Sequence, residues 1–148
     1  MVGEEAQLKV SEPEAPADPD AEYKELIRQA KQAVASGRDE DSMTSYRAAL
    51  ALKPDSLEAK QGLGFALVVN GTQDSEFREA ISLLEQVVGE SAGDARAWFA
   101  LGLAYQETSR DKNALRAYEK YLQLEPDGKF AADVREAIKL IKKSKRRR

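Results

Sequence analysis

The sequence predicts an all-α fold assembled from antiparallel helical hairpins. Three observations carry this. Apolar residues recur three and four apart, so that they share one helix face, as in Trp98, Leu101, Gly102 and Tyr105. Small residues stand where a partner helix must approach, and bulky ones fill the space a turn later: Ala114 is followed by Tyr118 and Tyr121. The dipeptide Leu-Gly recurs, Leu63-Gly64 preceding Leu101-Gly102 by 38 residues, and Pro54 and Pro126 each bar the helix before them from continuing.

The elements follow in order. Residues 1–17 are rich in Pro and Glu and poor in apolar side chains, which cannot offset the entropy of ordering; a disordered acidic tail or linker is expected. Its start reads as a boundary within a longer protein, with a domain or membrane anchor upstream. Gln7-Leu8-Lys9-Val10 is the one apolar exception, read either as solvated tail or as a segment that docks in a groove. The first helix is expected to start near Asp18-Pro19, with Asp as cap and Pro at the first helical position, and it ends at Ser36-Gly37. The second spans residues 39–52. The third is opened by Asp55-Ser-Leu-Glu58, read as a capping box led by Asp55, and runs to about residue 69. Asn70-Gly71-Thr-Gln-Asp is a turn signal, and a fourth helix follows over residues 75–89. Asp94 caps the fifth, to about residue 108; the sixth spans residues 111–124. A seventh is expected over residues 129–143, with Phe130, Val134, Ala137, Ile138 and Ile141 on one face, and residues 144–148 form a basic frayed end.

These side chains resemble the tetratricopeptide repeat (TPR), whose pattern W-x2-L-G-x2-Y…A-x3-F…P extends over about 34 residues. Residues 95–128 match it at every signature offset, residues 57–94 match with four extra residues between their helices, and residues 23–56 match through Tyr46, Ala49 and Pro54, with Ala30 for the glycine and Ser42 as the small residue. In the second unit Ala80, Leu84 and Val87 take the small, aromatic and following packing positions. The resemblance covers about 70% of the chain. It implies a right-handed α-solenoid of three helix-turn-helix hairpins over residues 18–143, with the seventh helix capping the apolar end of the stack.

It also implies a function. Such arrays bind a peptide or helix on the concave face formed by the first helix of each repeat. Carried over by position, the lining is Lys24, Ile27, Lys31 and Val34 in the first unit, Glu58, Gln61, Phe65 and Val68 in the second, and Arg96, Phe99, Leu103 and Gln106 in the third. An apolar track with a basic border suits a partner segment that is apolar with some acidic residues. Phe65 and Phe99 are read alternatively as packing between neighbouring first helices. The two-carboxylate clamp of chaperone-binding relatives would need Lys, Asn, Asn, Lys and Arg where this chain has Ile27, Lys31, Gly62, Arg96 and Ala100, so that route is not expected. The Trp98–Tyr121 signature residues are expected to be buried between paired helices.

Composition narrows the chemistry. The 148 residues contain no Cys and no His, which removes disulfides, the usual zinc ligands and the Ser-His-Asp and Cys-His arrangements. No phosphate loop is present, since Gly62-Leu-Gly64 leads to no Lys-Ser/Thr. No catalysis, cofactor or metal site is expected. No apolar run is long enough to span a bilayer. The lack of cysteine fits a cytoplasmic and a periplasmic protein alike; the cytoplasm is the expectation adopted. Net charge is −3, with an acidic beginning and a basic end. The acidic balance and the lack of interleaved aromatic residues disfavour nucleic acid as the main partner. The basic end is read as a solvated terminus, as contact with an acidic surface such as the first residues of a second copy, or as a phosphate- or lipid-attracting cluster. The alternative function is a homo-oligomeric scaffold joined through groove, solenoid ends and oppositely charged tails.

Overall fold

The structure, a computed structural model, describes residues 18–147. They form α1 (Ala21–Ala35), α2 (Asp39–Leu52), α3 (Leu57–Asn70), α4 (Asp74–Glu90), α5 (Ala95–Glu107), α6 (Asp111–Leu124) and α7 (Ala131–Arg146), with no strand among the described residues. α1 packs on α2, α3 on α4 and α5 on α6; α2 meets α3 and α4 meets α5, so the three hairpins stack in chain order, and α7 lies on α6 at one end. The Leu8–Val10 segment and Arg148 fall outside the described residues.

Glycines and bulky side chains set the helix crossings. A Cβ on Gly102 would lie 2.3 Å from the ring of Tyr118, and one on Gly64 would lie 2.6 Å from Leu84 Cγ. Each glycine therefore lets the two helices of its hairpin close on a large buried residue. Gly62 does the same between hairpins, where the Tyr46 ring of α2 occupies the place a side chain would take. Ser42, Ala80 and Ala114 are buried at the small positions, and the Ser42 hydroxyl donates to the Asp39 carbonyl at 2.7 Å, so its burial leaves no polar atom unsatisfied. Pro54 and Pro126 lie between helices.

Several boundaries differ from expectation. α1 begins at Ala21, because Asp18 and Pro19 form a turn of their own: the Asp18 carboxylate accepts from the Asp20 N–H at 2.9 Å and its carbonyl from the Ala21 N–H. The cap of α3 is Ser56, whose hydroxyl oxygen accepts from the Ala59 N–H at 3.0 Å; Asp55 is spent in the preceding turn. α4 begins at Asp74, where the Glu76 carboxylate accepts from the N–H groups of Thr72 and Gln73. α7 starts at Ala131, since the turn after Pro126 extends through Phe130, and it continues to Arg146, three residues past the expected end. Trp98 is half-buried, not enclosed; its indole N–H donates to the Ala92 carbonyl at 2.8 Å, pinning the loop before α5.

Candidate interaction groove

α1, α3 and α5 form one side of the stack, and they are not evenly spaced. α3 packs directly on α5, whereas α1 stands off α3. A cavity of about 610 Å³ opens between them. Its walls are Lys31 and Val34 of α1, Tyr46 of α2, Glu58, Gln61, Phe65 and Val69 of α3, and Arg96 of α5. Val34 and Val69 are 41% and 56% exposed, so valine side chains stand open at its rim. Tyr46, seated over Gly62, holds the first hairpin at this distance, and burial pushes its hydroxyl pKa up.

Two bonds tie α1 across to the beginning of α3. The Tyr23 and Ser56 hydroxyls are 2.6 Å apart, and Lys31 Nζ lies 2.5 Å from Glu58 Oε1. The hydrogen bond and charge of Glu58 raise the Lys31 pKa, so this cation is retained across the neutral range. Arg96 sits with its guanidinium carbon 3.9 Å from the centre of the Phe65 ring, a cation–π contact. Among the described residues Arg96 has no carboxylate within ion-pair distance.

Beyond Phe65 an aromatic cluster covers Phe99. Phe130, just before α7, stacks on Phe99 with ring centres 4.0 Å apart and planes 2° from parallel. It also lies 6.2 Å from Phe65 and from Tyr121, and its N–H donates to the Tyr121 hydroxyl at 2.9 Å. The residue that caps the stack therefore also fills the third hairpin's share of the hollow.

The sequence-derived lining divides accordingly. Lys31, Val34, Glu58, Gln61, Phe65 and Arg96 come together around the cavity. Ile27, Val68 and Phe99 are buried and offer no open surface; Leu103 is half-buried against the core. Lys24 lies away from the cavity, paired with Asp18 at 3.3 Å, and Gln106 accepts a bond from the Tyr118 hydroxyl at 2.7 Å. Val69 and Tyr46 were missed. Val69 follows the inward position Val68, and an apolar residue beside the Asn70-Gly71 turn was its only signal. Among the described residues no group of Asp and Glu is arranged to hold a metal ion, and no helix is long and apolar enough to cross a membrane. The cavity sets apolar side chains beside the charges of Lys31, Glu58 and Arg96.

A family model described as tetratricopeptide repeat matches residues 5–138. A human relative, protein O-mannosyl-transferase TMTC1, is 31% identical over 91 residues; these make up 62% of this chain, and the chain spans only 10% of that relative's length. Among solved structures, MamA superposes with a TM-score of 0.72 at 26% identity, over 87% of this chain and 71% of its own. The first TPR of Spaghetti (RPAP3), bound to the HSP90 peptide SRMEEVD, superposes with a TM-score of 0.69 at 17% identity, over 83% and 92% of the two chains.

Proposed function

Since this chain belongs to the tetratricopeptide repeat family, we propose that it is a non-catalytic adaptor that receives a partner's apolar segment between α1 and α3. The observation that carries this is the open cavity at that junction, walled by Val34, Tyr46, Phe65 and Val69, while at the third hairpin Phe130 covers Phe99. An apolar side chain of a peptide or amphipathic helix enters the cavity, and an acidic residue beside it meets Arg96, whose charge is not otherwise engaged by a carboxylate. Burying the apolar faces of both partners supplies the driving force, at about 25 cal/mol per Å². The carboxylate fixes direction.

The peptide-tail clamp of the chaperone-binding relatives does not fit here. At its positions Ile27 and Ala100 are buried and Gly62 lies under the Tyr46 ring. Selection from a displayed peptide library tests the reading. Enriched peptides carry a large apolar residue next to Asp or Glu, and they lose binding to Val34→Glu, Phe65→Glu and Arg96→Glu proteins of unchanged circular dichroism. Leu140→Glu, an exposed change on α7, retains it. Peptides held equally well by the Val34 and Phe65 variants place the site elsewhere.

A further inference from the structure

The end of α7 is a second surface, separate from the groove. The last buried residue of the helix is Ile141, yet the helix continues through Arg146 with every side chain from 142 to 147 exposed. Five of those six positions are Lys or Arg. Among the described residues none of these five, nor Lys139, has a carboxylate within 4 Å. Like charges four apart weaken a helix, and Lys139/Lys143, Lys142/Arg146 and Lys143/Arg147 are three such pairs. The projecting turns gain nothing from packing and lose by self-repulsion, so an anionic partner is what would steady them.

The surroundings select the partner. A helix that lies on a bilayer needs a free apolar face, but Val134 and Ile141 are buried, and Leu140 is the large apolar side chain left exposed on α7. Residues 18–128 carry 13 Lys and Arg against 20 Asp and Glu, a body that repels a long polyphosphate. The matching charge is in this chain. Glu4, Glu5, Glu12 and Glu14 stand against Lys9 alone ahead of α1. The first carboxylates of the described residues already hold cations, Asp18 with Lys24 at 3.3 Å and Asp20 with Lys53 at 2.8 Å. α1 and α7 lie at opposite ends of the stack.

We propose that the projecting basic end of α7 docks on the acidic residues 4–14 of a second copy, so that copies join head to tail. Such a contact is heterologous and extends until the chains run out or a ring closes. Each exposed pair contributes little alone and is screened within about 10 Å at 0.1 M salt, so the association is weak, additive over several pairs and strongly salt-dependent.

Sedimentation of the full chain tests this at about 0.05 M and about 0.5 M salt, where screening lengths differ several-fold. The average mass should rise with concentration in low salt and return to that of the monomer in high salt. Two variants of unchanged circular dichroism, K142E/K143E/R146E and E4Q/E5Q/E12Q/E14Q, should each be monomeric alone. Mixed, they should give a one-to-one pair and nothing larger, because one retains only the acidic partner and the other only the basic one. A wild-type monomer at every concentration in low salt, self-association of the glutamine variant, or a mixture that stays monomeric overturns the proposal. So does binding of a short DNA duplex or of anionic vesicles by the α7 end without any change in protein mass. Val34→Glu, which disables the groove, should leave assembly intact; loss of assembly in that variant would place the joint in the groove and defeat the assignment to α7.

Discussion

Gly102 and Gly89 show how one substitution can have opposite signs. A methyl group on Gly102 would collide with the fully buried Tyr118 ring on the neighbouring helix, and forced overpacking costs about 1–3 kcal/mol. Gly89 is a helical residue of α4 with nothing within 4 Å of its would-be Cβ, so alanine there gains about 0.5 kcal/mol by restricting the unfolded chain. Thermal melts of Gly102→Ala and Gly89→Ala should move in opposite directions, the first down by several degrees and the second slightly up. Both crossing glycines of the hairpins, Gly64 and Gly102, were legible in the sequence, because the Leu-Gly pair recurs and the large residue each accommodates follows at a spacing that differs only by the four extra residues between the helices of the second hairpin. Gly62 was not. Its partner Tyr46 belongs to the preceding hairpin, and a contact between hairpins has no fixed spacing within a single repeat. Lys60 makes the same point from the other side: it is buried at the position corresponding to Trp98 one unit later, where a long stem can take the place of an apolar side chain.

At the scale of elements, turn chemistry decided which helix boundaries could be read. Residues 39–52 and 111–124 were placed correctly because each is bounded by a turn on one side and a proline-directed stop on the other. The starts of α1 and α3 were misplaced by one or two residues, because the Asp18 carboxylate reaches the Asp20 amide in a turn ahead of α1, and Ser56, next to Asp55, is the residue whose oxygen reaches the Ala59 amide in α3. The covering of the groove was invisible for a different reason. Phe130 reads as part of an amphipathic seventh helix, but its ring meets Phe99 through a contact spanning 31 positions in sequence. Phe130→Ala should destabilise by about 2–3 kcal/mol, less than a fully enclosed Phe, and should raise the fluorescence of an apolar dye as Phe99 and Phe65 become exposed. An unchanged dye signal would mean that the aromatic cluster closes over the gap. The wide spacing of α1 from α3 has a dynamic counterpart: in a stacked array each unit is held by its neighbours. Amide exchange in α1 and α2 should therefore be faster than in α3–α6; equal protection throughout would contradict the looser joint.

For the whole molecule, the buried tyrosines predict a loss of stability at alkaline pH. Burial is the leading cause that pushes the Tyr105 hydroxyl up to about 12, reinforced by its hydrogen bond to Glu85. Tyr46 and Tyr118 are raised as well, again chiefly by burial. A group whose pKa is higher folded than unfolded adds stability below its ordinary value, near 10 here, and loses it as pH climbs through the folded value. The melting temperature should therefore be insensitive to these groups through neutrality and fall between about pH 10 and 12. Tyr105→Phe should make that fall shallower. On the acid side, Glu76 is held below its ordinary value by the amides of Thr72 and Gln73, so its contribution disappears as pH drops through that lowered value, and Glu76→Gln should remove this component of acid sensitivity.

The ring of Phe130 has one more effect. Phe99 is roofed over by that ring, while the junction of α1 and α3 is open. On the reading proposed above, a guest seated between α1 and α3 meets the aromatic cluster at the third hairpin, so its binding should depend on length as well as chemistry.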